Sequence, residues 1–209
     1  MTTLLHISSS PRGPEESESL ALAATFIEQY TQVHPDVEVE TFDLWDGSLP
    51  DFGRGAARAK MAVFAGEDPS GELAAPWARA IQTFERFAAA DSYLFSVPMW
   101  NHGIPYILKQ LIDVISQPGY LFDFDVTRGY IGRLHGKKAA VLYTSAVYGR
   151  GLAPEFGHDF QSTYLRDWLV WAGVTEVSEA EFRPNLVTAD AVTQRAIAHA
   201  EVADLAKAF

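Results

Sequence analysis

Short apolar runs and longer segments with helical spacing alternate along the chain. The run at 92–98 is nearly continuous in apolar character, as in a parallel strand that is covered on both faces. The segments between runs carry apolar residues three and four positions apart, which is the spacing of one helix face. The pattern predicts strands at 4–7, 37–42, 92–98, 138–144 and 175–182, and helices at 17–32, 73–89, 105–115, 159–172 and 188–207.

In two segments the apolar residues follow neither the spacing of a helix nor that of a strand. Residues 46–72 are rich in Gly, Asp, Pro and Ala, and we interpret them as a long surface excursion with short helices. Residues 120–124 form an aromatic loop. The buried faces of two helices are also predicted: Leu20, Ala23, Ala24, Ile27 and Tyr30 in the first, and Ile107, Leu108, Leu111, Ile112 and Ile115 in the one that begins near Pro105.

Strict alternation of strands and helices favours an open parallel α/β sheet with helices on both faces. At 209 residues the economical arrangement is one flavodoxin-like domain over 1–209, with five strands in the order 2-1-3-4-5. In such sheets the ligand lies beyond the carboxyl ends of the strands, at the switch point between strands 1 and 3. The candidate chemistry is therefore expected in the loops that follow strands 1, 3 and 4.

Composition excludes several classes of protein. The net charge of −11 and pI of about 4.9 argue against binding to a nucleic-acid backbone, which requires a basic face. The absence of cysteine excludes disulfides, thiolate nucleophiles and cysteine-ligated metals. Neither a signal-peptide pattern nor a run of about 18 apolar residues is present. We therefore expect a cytoplasmic protein that does not bind membranes.

The loop after strand 1 contains Ser9, Ser10, Ser17 and Ser19 and leads into a helix N-terminus. Free backbone N–H groups and the helix dipole favour an anion there, and the hydroxyls suit a phosphate. The loop matches neither the P-loop nor the Rossmann glycine pattern. An alternative is that a serine only caps the helix, with Glu18 in its first turn.

The loop after strand 3, residues 98–105, combines two prolines with Trp100 and Asn101, which present a flat apolar surface beside an amide. A planar heterocycle fits such a surface. His102 is either a proton donor or a residue that shapes the loop. The loop after strand 4, residues 144–151, supplies hydroxyls, glycines and Tyr148 at the same sheet edge.

The motif Ser9-Ser10-Pro11-Arg12-Gly13 with Ser17-Glu18-Ser19, followed by Pro98-Met99-Trp100-Asn101-His102-Gly103-Ile104-Pro105, resembles the FMN-dependent NADH-azoreductase family of flavodoxin-like quinone reductases. The segments 108–113 and 164–174 extend the similarity over nearly the whole chain. The resemblance implies a homodimer with one FMN per subunit. It also implies reduction by NADH or NADPH and reoxidation by quinones or azo compounds in a ping-pong cycle.

The resemblance also assigns residues to the cofactor. Ser10, Ser17, Glu18 and Ser19 fall on the phosphate-binding positions of the family. The segment that lies along the isoalloxazine comprises Met99, Trp100, Asn101 and His102, and the loop at the flavin edge comprises Ser145, Ala146, Val147 and Tyr148. His102, which stands where the family usually has an aromatic residue, and Tyr148 are the candidate catalytic residues.

Two other functional classes remain open from the residues alone. A flavodoxin-type electron carrier would also be acidic and bind FMN, although such carriers are usually shorter and lack an enclosed substrate pocket. A hydrolase is disfavoured because the six histidines show no H-x-x-x-H spacing or other metal-ligand cluster.

Overall fold

A five-stranded parallel sheet forms the centre of the computed structural model, which describes residues 2–209. The strands lie in the order β2-β1-β3-β6-β7, and every neighbouring pair is parallel. The predicted order 2-1-3-4-5 is confirmed, because β6 and β7 are the fourth and fifth strands of this sheet. Their bounds are β1 Thr3–Ser8, β2 Glu38–Asp43, β3 Ser92–Pro98, β6 Lys138–Thr144 and β7 Glu176–Phe182.

Strands β4 and β5 form a separate antiparallel hairpin, which follows β3 and precedes β6 along the chain. They span Phe122–Asp125 and Gly129–Gly132, so the end of the predicted aromatic loop belongs to β4. The hairpin packs on the C-terminal end of a helix, where a Cβ added at Gly132 would overlap the backbone of Trp171, Ala172 and Gly173. Glycine is therefore required at position 132 by close backbone approach.

Within residues 2–209, five α-helices lie between strands and a sixth follows the last strand. The segment at 46–72 contains an 11-residue helix and a short 3-10 turn at Gly71–Leu73, so this surface excursion is more ordered than its composition indicates. The helices are α1 Glu18–Val33, α2 Arg54–Phe64, α3 Ala74–Ala89, α4 Tyr106–Ile115, α5 Ser162–Ala172 and α6 Ala191–Ala208.

Hydrophobic cores lie on both faces of the sheet. The central strands β1, β3 and β6 are almost wholly buried, whereas most residues of the edge strands β2 and β7 are exposed or only partly buried. One core contains the buried stripe of α4, and the predicted face of that helix is confirmed. The other lies beneath α1 and α6 and contains Phe26 and Val202.

The predicted face of α1 is confirmed at two of its five positions, which are buried, and is wrong by part of a turn at the other three. Leu20 and Ile27 are only partly buried and Ala24 is exposed, whereas Leu22 and Phe26 are fully buried. Several apolar stripes can be drawn through the alanine-rich segment at 20–27, and spacing alone does not choose among them. Packing against α6 decides, because the larger Leu and Phe side chains bury more apolar surface than the alanines.

Candidate flavin site

The three predicted loops meet at the carboxyl edge of the sheet because β1, β3 and β6 are neighbours. The Ser9 hydroxyl donates a hydrogen bond to the Ser96 carbonyl oxygen over 2.6 Å, which ties the first loop to β3. The Met99 N–H donates to the Thr144 carbonyl oxygen over 2.7 Å, which ties the second loop to β6. The predicted convergence of these loops is confirmed.

The serine loop presents neutral hydrogen-bond donors at the start of α1. Ser10, Ser17 and Ser19 are each at most 4% exposed, and the hydroxyls of Ser17 and Ser19 lie 3.1 Å apart. Ser17 occupies the N-cap position, but its side chain makes no capping hydrogen bond. Within residues 2–209 the N–H groups at positions 18–20 are also without a hydrogen-bond partner. This donor set, at the positive end of a helix dipole, fits a phosphate.

Glu18 does not direct its carboxylate into this loop. Its Oε2 accepts a hydrogen bond from Arg195 Nε on α6 over 2.8 Å. This ion pair neutralises a negative charge that would otherwise repel an anion near the helix start. The backbone N–H is therefore the group of Glu18 that can contribute to phosphate binding.

The loop after β3 contains an unusual turn. Trp100 and Gly103 exchange two backbone hydrogen bonds, of 2.9 and 3.0 Å, and the two residues between them have positive φ angles, 48° at Asn101 and 71° at His102. Positive φ at both central residues is the requirement of a type I′ turn, and it costs energy for a residue such as histidine. The Phe160 N–H donates to the His102 carbonyl oxygen over 3.0 Å and anchors the turn.

Trp45 is a site residue that the sequence reasoning missed. Its indole N–H donates to the Ser9 carbonyl oxygen over 3.1 Å. Its ring centroid lies 5.8 Å from that of Trp100 and 5.3 Å from that of Tyr106. Trp45 follows β2, which the predicted strand order already placed beside β1, so this order was the signal that could have identified it.

The loop after β6 offers backbone donors. Ser145 is buried, Ala146 and Val147 are exposed, and Tyr148 is half-buried. The carbonyl groups of Ser145 and Ala146 accept hydrogen bonds from the backbone at 185–187. No hydrogen bond among residues 2–209 uses the N–H groups of 146–148. These amides can donate to the carbonyl oxygens and ring nitrogens of a heterocycle, as the pyrimidine edge of a flavin requires.

The two candidate catalytic side chains lie in different surroundings. His102 is exposed, and its ring packs near Gly157 and lies 6.3 Å from the ring of His158. The Tyr148 ring lies 5.2 Å from the guanidinium carbon of Arg183. Each therefore belongs to a different wall of the site.

A cleft of about 1190 Å³ extends from the Trp100 turn along α4 and α5. Of the predicted site residues, Trp100 and Asn101 line it, whereas Met99, His102, the serine loop and residues 145–148 do not. Its walls are aromatic and its rim carries the carboxylates of Asp51, Asp113 and Asp167. Three further aromatic side chains line the cleft: Tyr106, Phe160 and Tyr164.

The part of the chain that the structure describes contains no group of three or more His, Asp or Glu residues that could hold a metal ion. Among the same residues, no helix is both long enough and apolar enough to cross a membrane.

The fold and the donor-rich sheet edge define a flavodoxin-like protein. Residues 2–206 match the Flavodoxin_2 family, described as having a flavodoxin-like fold, and the chain belongs to this family. A relative from Ruegeria pomeroyi named FMN-dependent NADH:quinone oxidoreductase is 45% identical over 91% of this chain and 93% of its own length. FMN-dependent NADH:quinone oxidoreductase 2 of Pseudomonas syringae pv. tomato is 40% identical over 98% and 96%. The azoreductase from Bacillus anthracis superposes with a TM-score of 0.89, at 26% identity and full coverage of both chains.

Proposed function

We propose that this protein is an FMN-dependent NADH:quinone oxidoreductase that also reduces azo compounds, and that residues 1–209 act as one flavin-binding domain. The observation that carries the proposal is the meeting of three loops with unused neutral donors and an aromatic turn at one sheet edge. Bound FMN would supply the two-electron chemistry between NADH and a quinone or azo acceptor. The relatives' names support NADH as the donor.

The residues of the chain bind and orient the flavin. Ser10, Ser17 and Ser19 hold the phosphate through their hydroxyls, together with the backbone N–H of Glu18. The turn at 99–102 supports the isoalloxazine. The backbone N–H groups of 146–148 would donate hydrogen bonds to its pyrimidine edge and would favour negative charge there.

His102 and Tyr148 border the reacting face in this proposal. Reduction of a quinone requires protons as well as electrons, and an imidazole has an ordinary pKa that suits proton transfer near neutral pH. The exposed position of His102 leaves its ring accessible to an acceptor. We assign proton donation to His102 and flavin-edge packing to Tyr148.

The cleft distinguishes an enzyme from an electron carrier. A carrier exchanges electrons across a docking surface, whereas this chain has an aromatic cleft of about 1190 Å³ beside the Trp100 turn. A flat aromatic acceptor matches such walls in shape and polarity. The curated relatives are named as oxidoreductases, which supports the same choice.

A homodimer is part of the proposal. Tyr106 and Phe160, on the rim of the cleft, are 60% and 61% exposed, and a second copy of the chain would cover them. Two-fold dimers are the commonest oligomers of soluble proteins. We also propose that the dimer is cytoplasmic. The chain contains no cysteine, so no disulfide points to an oxidising compartment.

The flavin assignment is tested by the visible spectrum of the purified chain after addition of FMN. We expect bound oxidised flavin that NADH bleaches without oxygen and that a quinone restores. A flavin that binds but is not reduced by NADH would favour the electron carrier. A chain that takes up no FMN would contradict both readings.

Light scattering tests the dimer. We expect twice the 23.0 kDa of one chain. Tyr106→Lys should shift the mass toward the monomer, because a charge at a covered aromatic position must be desolvated. Val192→Lys on α6, at a residue that is 83% exposed, is the matched control and should leave the mass unchanged. A fully active wild-type monomer would overturn the dimer proposal.

A further inference from the structure

A fully buried guanidinium lies behind two of the site loops. The side chain of Arg183, just after β7, has no exposed surface. Its Nη1 donates to Asp159 Oδ2 over 3.1 Å and to Gln161 Oε1 over 3.3 Å, and its Nε donates to Glu181 Oε2 over 3.0 Å. An isolated buried charge would be very costly, so the two carboxylates must stay ionised beside it.

Hydrogen bonds keep the carboxylates of Asp159 and Glu181 ionised. Burial alone would raise the pKa of the Glu181 carboxyl, but hydrogen bonds from Arg150 and Arg183 hold it below its usual range. Burial likewise opposes ionisation of Asp159, and hydrogen bonds from Ser162 and Arg183 lower its pKa. The network is therefore charged and paired at neutral pH.

One arm of this network reaches the loop after β3. Gln161, which accepts from Arg183, donates through Nε2 to the Val97 carbonyl oxygen over 2.8 Å, one residue before the end of β3. The neighbouring Phe160 N–H holds the His102 carbonyl oxygen. Arg183 is thus two hydrogen bonds away from the strand that presents Trp100.

The other arm reaches the loop after β6. The guanidinium carbon lies 5.2 Å from the ring centroids of both Tyr143 and Tyr148, so the planar cation sits between the end of β6 and the proposed flavin-edge loop. The N–H of Asn185 donates to Ser145 O over 2.8 Å, and those of residues 186 and 187 donate to Ala146 O over 3.1 Å. The segment after Arg183 therefore serves as the backing of that loop.

We propose that Arg183 is a positioning residue for the flavin: its buried guanidinium fixes the 145–148 loop against the segment 185–187 and couples it to the loop after β3. This role rests on the proposed function and deepens it. Arg183 acts through the loops and does not itself contact the flavin. Lysine would keep the charge but would lose the guanidinium contact with two tyrosine rings and the fork that reaches two carboxylates.

The test compares Arg183→Lys and Arg183→Met with Arg150→Lys in the full-length chain, with and without FMN. Arg150 is a matched control because it pairs with the same Glu181 but is 72% exposed. Hydrogen exchange is followed at the amides of 185–187, which report directly on contact with the 145–148 loop, and at β1, a central strand that the Arg183 network does not contact and that reports on the sheet. FMN affinity and the visible circular dichroism of bound flavin are measured on the same samples.

We expect at least tenfold faster exchange at 185–187 in both Arg183 variants, with β1 unchanged. FMN should bind at least tenfold more weakly, with an altered flavin circular dichroism at saturation, and Arg150→Lys should match the wild type in every measurement. If an Arg183 variant does not fold, Tyr148→Leu takes its place. This variant removes the half-buried aromatic ring beside the guanidinium and should cause the same faster exchange at 185–187.

Unchanged exchange and flavin spectra in folded Arg183 variants would overturn the inference. Equal acceleration at β1 and at 185–187 would also overturn it, because Arg183 would then support the fold as a whole. If the wild type itself binds no FMN, the proposed function fails, and the exchange data still decide whether Arg183 orders the 145–148 loop.

Discussion

Replacement of His6 should remove a defined part of the acid sensitivity of this protein. His6 lies in β1 below the serine loop and is 6% exposed, and its Nε2 lies 3.0 Å from the Ser96 hydroxyl. Burial lowers the pKa of His6 from 6.5 to about 4, since the sheet interior disfavours the imidazolium. The unfolded chain therefore binds a proton at His6 at a higher pH than the folded chain does.

The sign and size of the effect follow from linkage. Because the folded pKa is depressed, no stability is lost at His6 above about pH 7.5, and the loss grows as pH falls through 6.5 toward 4. At pH 5 the unfolded state gains a factor of about 30, or about 2 kcal/mol, and the loss levels off at about 3.4 kcal/mol well below pH 4.

Urea denaturation of the flavin-free chain at pH 7.5, 6 and 5, at one protein concentration, measures this loss. His6→Gln keeps an amide near Ser96 but cannot titrate, so its unfolding free energy should fall about 2 kcal/mol less than that of the wild type between pH 7.5 and 5. His135→Gln changes an exposed histidine and should follow the wild type. Parallel curves for wild type and His6→Gln would refute the reasoning that a buried neutral imidazole resists protonation.

Three further predictions concern the site and the hairpin. Ser17→Ala with Ser19→Ala should weaken FMN binding by about 1 kcal/mol or more per lost bond, or roughly thirtyfold together, in a fluorescence titration. His102→Gln should slow quinone reduction and flatten its pH dependence while flavin reduction by NADH is unchanged, as stopped-flow measurements of the two half-reactions can show. Gly132→Ala should destabilise the protein by about 2 kcal/mol or more, because its Cβ overlaps helix backbone, whereas Gly13→Ala meets no atom within 4 Å and should be nearly neutral in thermal denaturation.

Each of these predictions has a contradicting outcome. Unchanged FMN affinity in the double serine variant would place the phosphate elsewhere, provided that Ser70→Ala, at an exposed serine, behaves as the wild type. An unchanged quinone rate and pH profile would remove the acid role of His102, and a slower NADH step would make it a residue that positions the nucleotide. Equal stability of the two glycine variants would show that the hairpin moves away from α5 at little cost.

Local pattern determined the sheet and the location of its chemistry. The buried run at 92–98 and the alternation of strands and helices are properties of neighbouring residues, and parallel crossovers then leave few topologies to choose from. The order 2-1-3-4-5 by itself places the serine loop, the Trp100 loop and the 144–151 loop at one edge of the sheet. The hairpin at 122–132 escaped detection because its strands are only four residues long.

Tertiary structure alone decided which side chains complete the site. Trp45 donates to a backbone oxygen 36 residues away in the chain, and nothing in its own segment indicates that contact. Arg183 follows an edge strand, where an arginine ordinarily lies at the surface. It is buried because Asp159 and Glu181, on two different segments, approach it together. Pairing between distant segments depends on how the whole chain packs, so a pattern of neighbouring residues does not encode it.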